Sequence, residues 1–96
     1  MPHPLPQTKS AIPIAGYTLH IVFADNTEKI IDLEPILHGP LYGPLRNPKL
    51  FREVSVDPEI QTIVWPNGAD FDPATLLAWD TVKNELAERA RNWKAD

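Results

Sequence analysis

The sequence contains no cysteine. The chain therefore cannot form a disulfide framework or a thiolate metal site, and it has no thiol that could serve as a nucleophile. It also has no Gly-rich phosphate loop and no serine in a nucleophile-elbow motif. These absences argue against a thiol enzyme, a P-loop protein and a serine hydrolase.

An excess of basic residues and a long apolar run are also missing. Nine Lys and Arg are outnumbered by 13 Asp and Glu, which gives a formal net charge of −4. Because nonspecific nucleic-acid affinity comes from neutralising phosphates with basic side chains, we expect no direct nucleic-acid binding. No apolar run approaches the ~20 residues of a membrane span, and the start MPHPLPQTKS lacks the pattern of a signal peptide. A cytoplasmic location is the resulting expectation.

Proline, in contrast, is abundant. Eleven prolines in 96 residues limit the chain to short elements, except in the proline-free stretches 14–34 and 74–96. A chain of this length forms one domain with a modest core, and its 43% hydrophobic content indicates a globular protein. Residues 1–10, with three prolines, are predicted to form an extended N-terminal arm.

The most regular pattern is a β-hairpin formed by residues 17–24 and 27–33, with its turn at Asn26. A two-residue loop would set Leu19 opposite Asp32, whereas a three-residue loop buries the apolar residues of both strands together. We therefore predict the three-residue loop. The residues that it places on the buried face are Leu19, Ile21, Phe23, Ile31 and Leu33.

Other strands are predicted on either side of this hairpin. Residues 11–15 form a short strand, which Pro13 restricts to a sheet edge or a strand end because proline cannot donate a ladder hydrogen bond. Residues 52–57 and 61–65 form a second hairpin, with Pro58 at the first position of its turn.

Short helical turns are predicted between the two hairpins. Pro35 opens one turn over residues 34–38, and Asn47 caps a second turn that ends at Phe51. The two Gly-Pro pairs within residues 39–44 are expected to prevent regular structure between these turns.

The stretch 63–77 combines a strand, a turn and the start of a helix. Pro66 ends the strand, and Gly68 supplies a residue that tolerates positive φ for the turn. Asp72 is a good N-cap, and Pro73 is favoured at the first helical position. A helix is therefore predicted to begin at Pro73.

This helix is predicted to continue without a break to about Trp93, and to project in part beyond the domain. Its apolar residues recur at helical spacing: Trp79, Val82, Leu86, Ala90 and Trp93. This stripe has two open interpretations. It packs in the core, or it forms an exposed face that binds a second copy or a second small protein. Core packing is favoured for Trp79 and Val82, and the two interpretations are evenly balanced from Leu86 to Trp93.

Together the elements predict an α+β fold. It consists of a small antiparallel sheet built from two β-hairpins plus an N-terminal edge strand, with short helical turns in the middle and one long C-terminal helix. After the arm over residues 1–10, the α+β domain covers residues 11–77, and residues 78–96 form a C-terminal helical extension.

Seven runs of this sequence resemble a bacterial family catalogued as domain of unknown function 2442. They are LHIVFADN (19–26), IDL (31–33), GPLYGPL (39–45), PKLF (48–51), VSVD (54–57), IVWPNGAD (63–70) and DPATL (72–76). The resemblance implies a small α+β fold with no assigned activity. It also implies a setting in gene pairs that look like toxin–antitoxin modules. Some members carry a helix-turn-helix domain after this one. In this sequence the residues after Leu77 are too few to form such a domain.

Two groups of polar residues are candidates for a ligand face. His20 and Asp32, with Glu28 nearby, could form an acid–base pair or half of a metal site, although a surface ion pair is the favoured interpretation. Asp70 and Asp72 could bind a divalent cation or transfer a proton, although a turn residue and a helix cap are favoured.

His38, beside a Gly-Pro turn, is predicted to make a local hydrogen bond.

The sequence as a whole predicts that the protein is a non-catalytic protein-interaction module, antitoxin-like or regulatory. It is expected to self-associate or to bind a second small protein, and to need no cofactor or metal. The alternative is a small-molecule or metal-binding sensor domain. A small hydrolase is disfavoured because no nucleophile–base pair can be proposed.

Overall fold

A computed structural model describes residues 7–93 of the chain. The strands are β1 (Thr8–Ala15), β2 (Thr18–Phe23), β3 (Glu28–Asp32), β4 (Ser55–Asp57) and β5 (Thr62–Val64). The α-helices are α1 (Gly39–Tyr42), α2 (Pro48–Phe51), α3 (Pro73–Leu77) and α4 (Trp79–Ala90), and 3₁₀ turns cover Glu34–Ile36 and Gly43–Arg46. The predicted α+β class is confirmed. Within the described range, no helix has both the length and the apolar character needed to cross a membrane.

The first sheet contains three antiparallel strands in the order β1-β2-β3. The N-terminal strand lies at its edge, as the position of Pro13 predicts. It begins at Thr8, earlier than the predicted residue 11, so residues 8–10 belong to the sheet and not to an arm. In the remainder of the predicted arm, the Gln7 carbonyl accepts the Ala24 N–H at 2.8 Å, and residues 1–6 lie outside the described part of the chain.

The register of the first hairpin confirms the three-residue loop. Leu19 lies opposite Ile31, and the Phe23 N–H donates to the Thr27 carbonyl at 2.8 Å to close the loop. Asn26 has a φ of 70°, the left-handed conformation that a loop of this kind requires. All the apolar residues predicted for the inner face are buried. The burial of that apolar set therefore decides the register.

The second hairpin confirms the predicted turn but forms a sheet of its own, β4-β5. The Asp57 carboxylate accepts the Glu59 N–H at 2.8 Å, which stabilises the turn after Pro58. A hydrogen bond of 2.9 Å from the Thr8 N–H to the Gln61 carbonyl joins the two sheets. The strand extension at Thr8 thus connects the two hairpins.

The Gly-Pro segment is more regular than predicted, since α1 and a 3₁₀ turn follow one another there. Pro40 and Pro44 both occupy the first turn of their helices, where the missing N–H has no intrahelical partner. The Arg46 guanidinium donates to the Leu37 carbonyl at 2.7 Å and secures the end of the segment. The expectation of irregular structure was wrong because proline is compatible with a helix start.

The single C-terminal helix predicted over residues 73–93 is two helices, α3 and α4. Asp72 caps α3 as predicted, accepting the Ala74 N–H at 3.1 Å. The chain departs from helical geometry at Ala78, with a ψ of 14°, although the sequence has no glycine or proline there. Leu76 before the break and Trp79 after it are both buried. Both helices therefore contribute residues to the core, and the predicted continuous helix is not formed.

Aromatic rings connect the parts of the core. Trp65 lies with its ring centroid 5.9 Å from Phe51 and 6.0 Å from Phe71. The Phe71 ring continues the chain of contacts to Tyr42 at 5.1 Å and to Trp79 at 6.2 Å. Pairs at these separations add stability beyond the burial of their area. The stretch 63–77 is thus the centre of the packing.

Candidate interaction surface

The side of the first sheet turned away from the core is the outer sheet face. Its residues follow from the strand pairing: Ser10, Ile12, Thr18, His20, Val22, Glu28, Ile30 and Asp32. Ile12 lies opposite His20, which in turn lies opposite Ile30, so the three side chains form one row across the sheet. The two isoleucines are 55% and 61% exposed. Both side chains are therefore largely open to solvent.

This face was only partly anticipated from the sequence. The hairpin register puts Val22 and Ile30 on the face opposite the core, which is therefore not wholly polar. Ile12 was not foreseen there, because its side depends on how β1 pairs with β2. The signal in the sequence that could have indicated this apolar face was a β-branched residue at a solvent-facing position of each strand.

His20 forms a hydrogen bond with Glu28, with 2.7 Å between Nε2 and Oε1. In the register, Glu28 and Asp32 are both diagonal neighbours of His20, so the sequence could not choose between them. Asp32 instead accepts the Glu34 N–H at 3.0 Å, at the start of a 3₁₀ turn. The predicted pair of His20 and Asp32 is therefore not formed. Within residues 7–93, no three His, Asp or Glu side chains lie where they could hold a metal ion.

The two aspartates near α3 have separate roles. The Asp72 carboxylate caps α3, as described above. At Asp70 the backbone carbonyl accepts the Tyr42 hydroxyl at 2.8 Å, and the residue forms an isolated bridge with Val64. His38, the third polar candidate, is half-buried before α1, and its backbone N–H donates to the Ile36 carbonyl at 2.8 Å.

The predicted apolar stripe of the C-terminal helix is divided between the core and the surface. Trp79 is 4% exposed and Ala90 is fully buried, so neither is presented to a partner. Val82 and Leu86 are half-buried and line a shallow groove on α4. Trp93 lies beyond the end of α4. Its ring packs on Tyr42 at 5.6 Å, as a contact within the chain.

Tyr42 is a titratable residue whose side chain is partly buried. Its ring lies between Phe71 and Trp93, and its hydroxyl donates to the Asp70 carbonyl. Burial raises the pKa of Tyr42 above its ordinary value of 10.0, and the Asp70 carboxylate raises the pKa further. The neutral hydroxyl is therefore the form that the fold favours.

The raised pKa predicts a loss of stability at high pH. A group with a folded-state pKa above its unfolded value stabilises the protein fully below the unfolded pKa, and this contribution disappears as the pH rises through the folded pKa. We expect Tyr42→Phe to cost about 1 kcal/mol at pH 7 through the lost hydrogen bond. The difference in the free energy of unfolding between wild type and variant should become smaller above pH ~10. Urea unfolding between pH 7 and 11 measures this difference, and a difference that does not change with pH would contradict the prediction.

Comparison with known proteins reveals a family and a related fold. The family model described as "Protein of unknown function (DUF2442)" matches residues 8–82. The crystal structure of the "Putative DNA Binding Protein NE0471" from Nitrosomonas europaea ATCC 19718 is similar, with a TM-score of 0.70 and 20% sequence identity. The likeness covers 83% of this chain and 52% of the other, so this chain spans about half the length of that protein. Among curated proteins nothing matches.

The matched range begins with β1 and ends within α4. It therefore contains both hairpins, the Gly-Pro segment and the capped start of α3, which carry the sequence runs described above. The structural likeness independently supports the fold. The chain belongs to the DUF2442 family of proteins of unknown function.

Proposed function

We propose that this chain is a non-catalytic protein-interaction module and that the outer sheet face is its contact surface. The observation that carries the proposal is the row Ile12, His20 and Ile30, in which two exposed isoleucines flank a half-buried histidine. Grouped apolar side chains on a sheet face favour association, because a partner would remove their surface from water.

The proposed partner is a protein and not a nucleic acid. The outer sheet face contributes the carboxylates Glu28 and Asp32, and the whole chain has a net charge of −4. A surface of this sign repels a phosphate backbone. The description of NE0471 concerns a protein about twice as long. The fold shared with this chain accounts for about half of that protein.

The biological role that we propose is regulatory, in the manner of an antitoxin that binds a second small protein. The family resemblance supports this step. The sensor alternative would use His20, which Glu28 already engages at 2.7 Å. No contact on the outer sheet face favours a small ligand over a protein, so we place the interaction module first.

Affinity purification of the tagged chain from its own host tests the proposal. We expect a protein to co-purify with the wild type and to be lost with Ile12→Lys or Ile30→Lys, because lysine would bring a hydrated charge into an apolar contact. Ile60→Lys is the matched control. It makes the same substitution at an isoleucine that is 53% exposed in the turn of the second hairpin, which is not part of the outer sheet face.

Two outcomes would contradict the proposal. Either no protein co-purifies with the wild type, or the three lysine variants retain it equally. Point variants are preferable to truncation of the C-terminal helix, since that truncation would remove Trp79 and Ala90 from the core. Circular dichroism of each variant confirms that the fold is intact.

A further inference from the structure

Strand β3 lies at the edge of the first sheet with one side of its backbone unpaired. The bonds from the Phe23 N–H to Thr27 and from the Leu33 N–H to Tyr17 mark hydrogen-bonded pairs at odd-numbered residues. In an antiparallel ladder such pairs alternate with non-bonded pairs. The N–H and C=O groups of the even-numbered residues 28, 30 and 32 therefore point away from β2. No backbone group within residues 7–93 bonds to them on that side.

A groove lies beside this edge, between β3 and α4. It is lined in part by Ile30, Asp32, Pro35, Trp79 and Asp80, and its volume is about 360 Å³. An added strand would lie about 4.8 Å from β3, which is the spacing of neighbouring strands in a sheet. The groove provides space on the side where that strand would run.

We propose that an extended segment of the partner protein adds to the β3 edge as a fourth strand. This inference rests on the proposed function and specifies how the partner binds. The outward backbone groups would supply the hydrogen bonds, and side chains of alternate residues would continue the outer sheet face. An unpaired strand edge is a ready template for such pairing.

The side chains of β3 determine the chemistry of the segment. The outer sheet face presents Glu28, Ile30 and Asp32 in succession along the strand. Cross-strand neighbours of opposite charge stabilise a sheet, and apolar neighbours do the same. The segment should therefore carry an apolar residue beside Ile30 and Lys or Arg two positions before and after it. On the groove side, the Lys29 ammonium pairs with the Asp80 carboxylate at 3.3 Å, and Lys83 also lines the groove.

A second copy of this chain fits the edge less well. Antiparallel pairing of two β3 strands about Ile30 would place Glu28 of each copy opposite Asp32 of the other. Like charges directly opposite one another destabilise a sheet. A basic segment of a different protein avoids this repulsion, and we take it as the occupant.

Selection from a phage-displayed library of random nine-residue peptides, with the full chain as bait, tests the inference. We expect the enriched peptides to share an apolar residue flanked two positions away on both sides by Lys or Arg. Ile30→Pro removes one outward N–H without removing a bond to β2, and should weaken their binding about tenfold or more. Ile30→Ala retains that N–H and should cost no more than about threefold.

Amide hydrogen exchange of the wild type gives a readout that does not depend on the proline variant folding. The N–H groups of Glu28, Ile30 and Asp32 should gain protection when a selected peptide binds. Unchanged exchange at these amides, or equal binding by Ile30→Pro and Ile30→Ala, would overturn edge pairing. Enrichment without the basic pattern would overturn the proposed chemistry.

Two further results separate this inference from the proposed function. If a host protein is lost with Ile12→Lys but retained with Ile30→Pro, the interaction module stands and edge pairing is wrong. Sedimentation as a dimer that Ile30→Pro converts to a monomer would identify a second copy as the occupant, against our choice. If no peptide is enriched and no host protein co-purifies, both proposals are wrong.

Discussion

Replacing Trp65 with alanine is expected to lower the free energy of unfolding by about 4 kcal/mol. The side chain is 3% exposed and lies in contact with the rings of Phe51 and Phe71. Its indole Nε1 also donates to the Phe51 carbonyl at 2.9 Å. The substitution therefore leaves a large cavity at the centre of the aromatic core, and the Phe51 carbonyl keeps only the longer bond of 3.4 Å from the Val54 N–H.

A second substitution separates these two contributions. Trp65→Phe retains most of the ring packing but removes the N–H donor, so we expect a cost of about 1–3 kcal/mol. Trp93→Ala is the control, since it truncates the same residue type where the side chain is only half-buried. Urea unfolding followed by circular dichroism measures all three variants. A cost for Trp65→Ala no greater than that of Trp93→Ala would contradict the central role of Trp65.

Gly39→Ala is expected to destabilise the fold by about 3 kcal/mol, for two physical reasons. Gly39 has a φ of +81°, a left-handed conformation that costs an L-residue about 1–2 kcal/mol. A Cβ at this position would also lie 2.8 Å from the Trp93 Cβ, so the two carbon atoms would clash. Because a Cβ is fixed to the backbone, the chain after α4 would have to move.

Gly68→Ala provides the matched control for the first of these costs. Gly68 has a φ of +93°, and a Cβ built there meets no atom within 4 Å, so only the conformational cost of about 1–2 kcal/mol applies. In a Trp93→Gly background the steric part of the Gly39→Ala effect should disappear, leaving the same conformational cost. Equal costs for Gly39→Ala and Gly68→Ala in the wild-type background would show that Trp93 does not pack on Gly39.

The features that the sequence predicted correctly depend on local chemistry. Asn26 supports the left-handed turn of the first hairpin, and Asp72 caps α3 with its own carboxylate. The hairpin register follows from alternation, because a shift by one residue would expose every apolar side chain of the strand. Such features involve residues close together in the chain, so their pattern is visible without a fold.

The features that the sequence did not predict depend on contacts between distant segments. The helix break at Ala78 has no local marker and coincides with the burial of residues on both sides of it. The position of Trp93 follows from its packing on Tyr42, which lies on a different helix. At His20, two carboxylates were equally placed by the register, and the side-chain geometry selected Glu28.

The candidate site divides in the same way. The sequence alone indicated where each strand lies, although not its exact bounds, as well as the edge position of the Pro13 strand and the alternation that turns Ile30 away from the core. Only the tertiary structure decided that Ile12 and Ile30 share one uncovered row, and that the C-terminal stripe is mostly occupied within the chain. The reason is that periodicity assigns a side chain to one face of its own element, whereas the exposure of that face depends on which other elements pack against it.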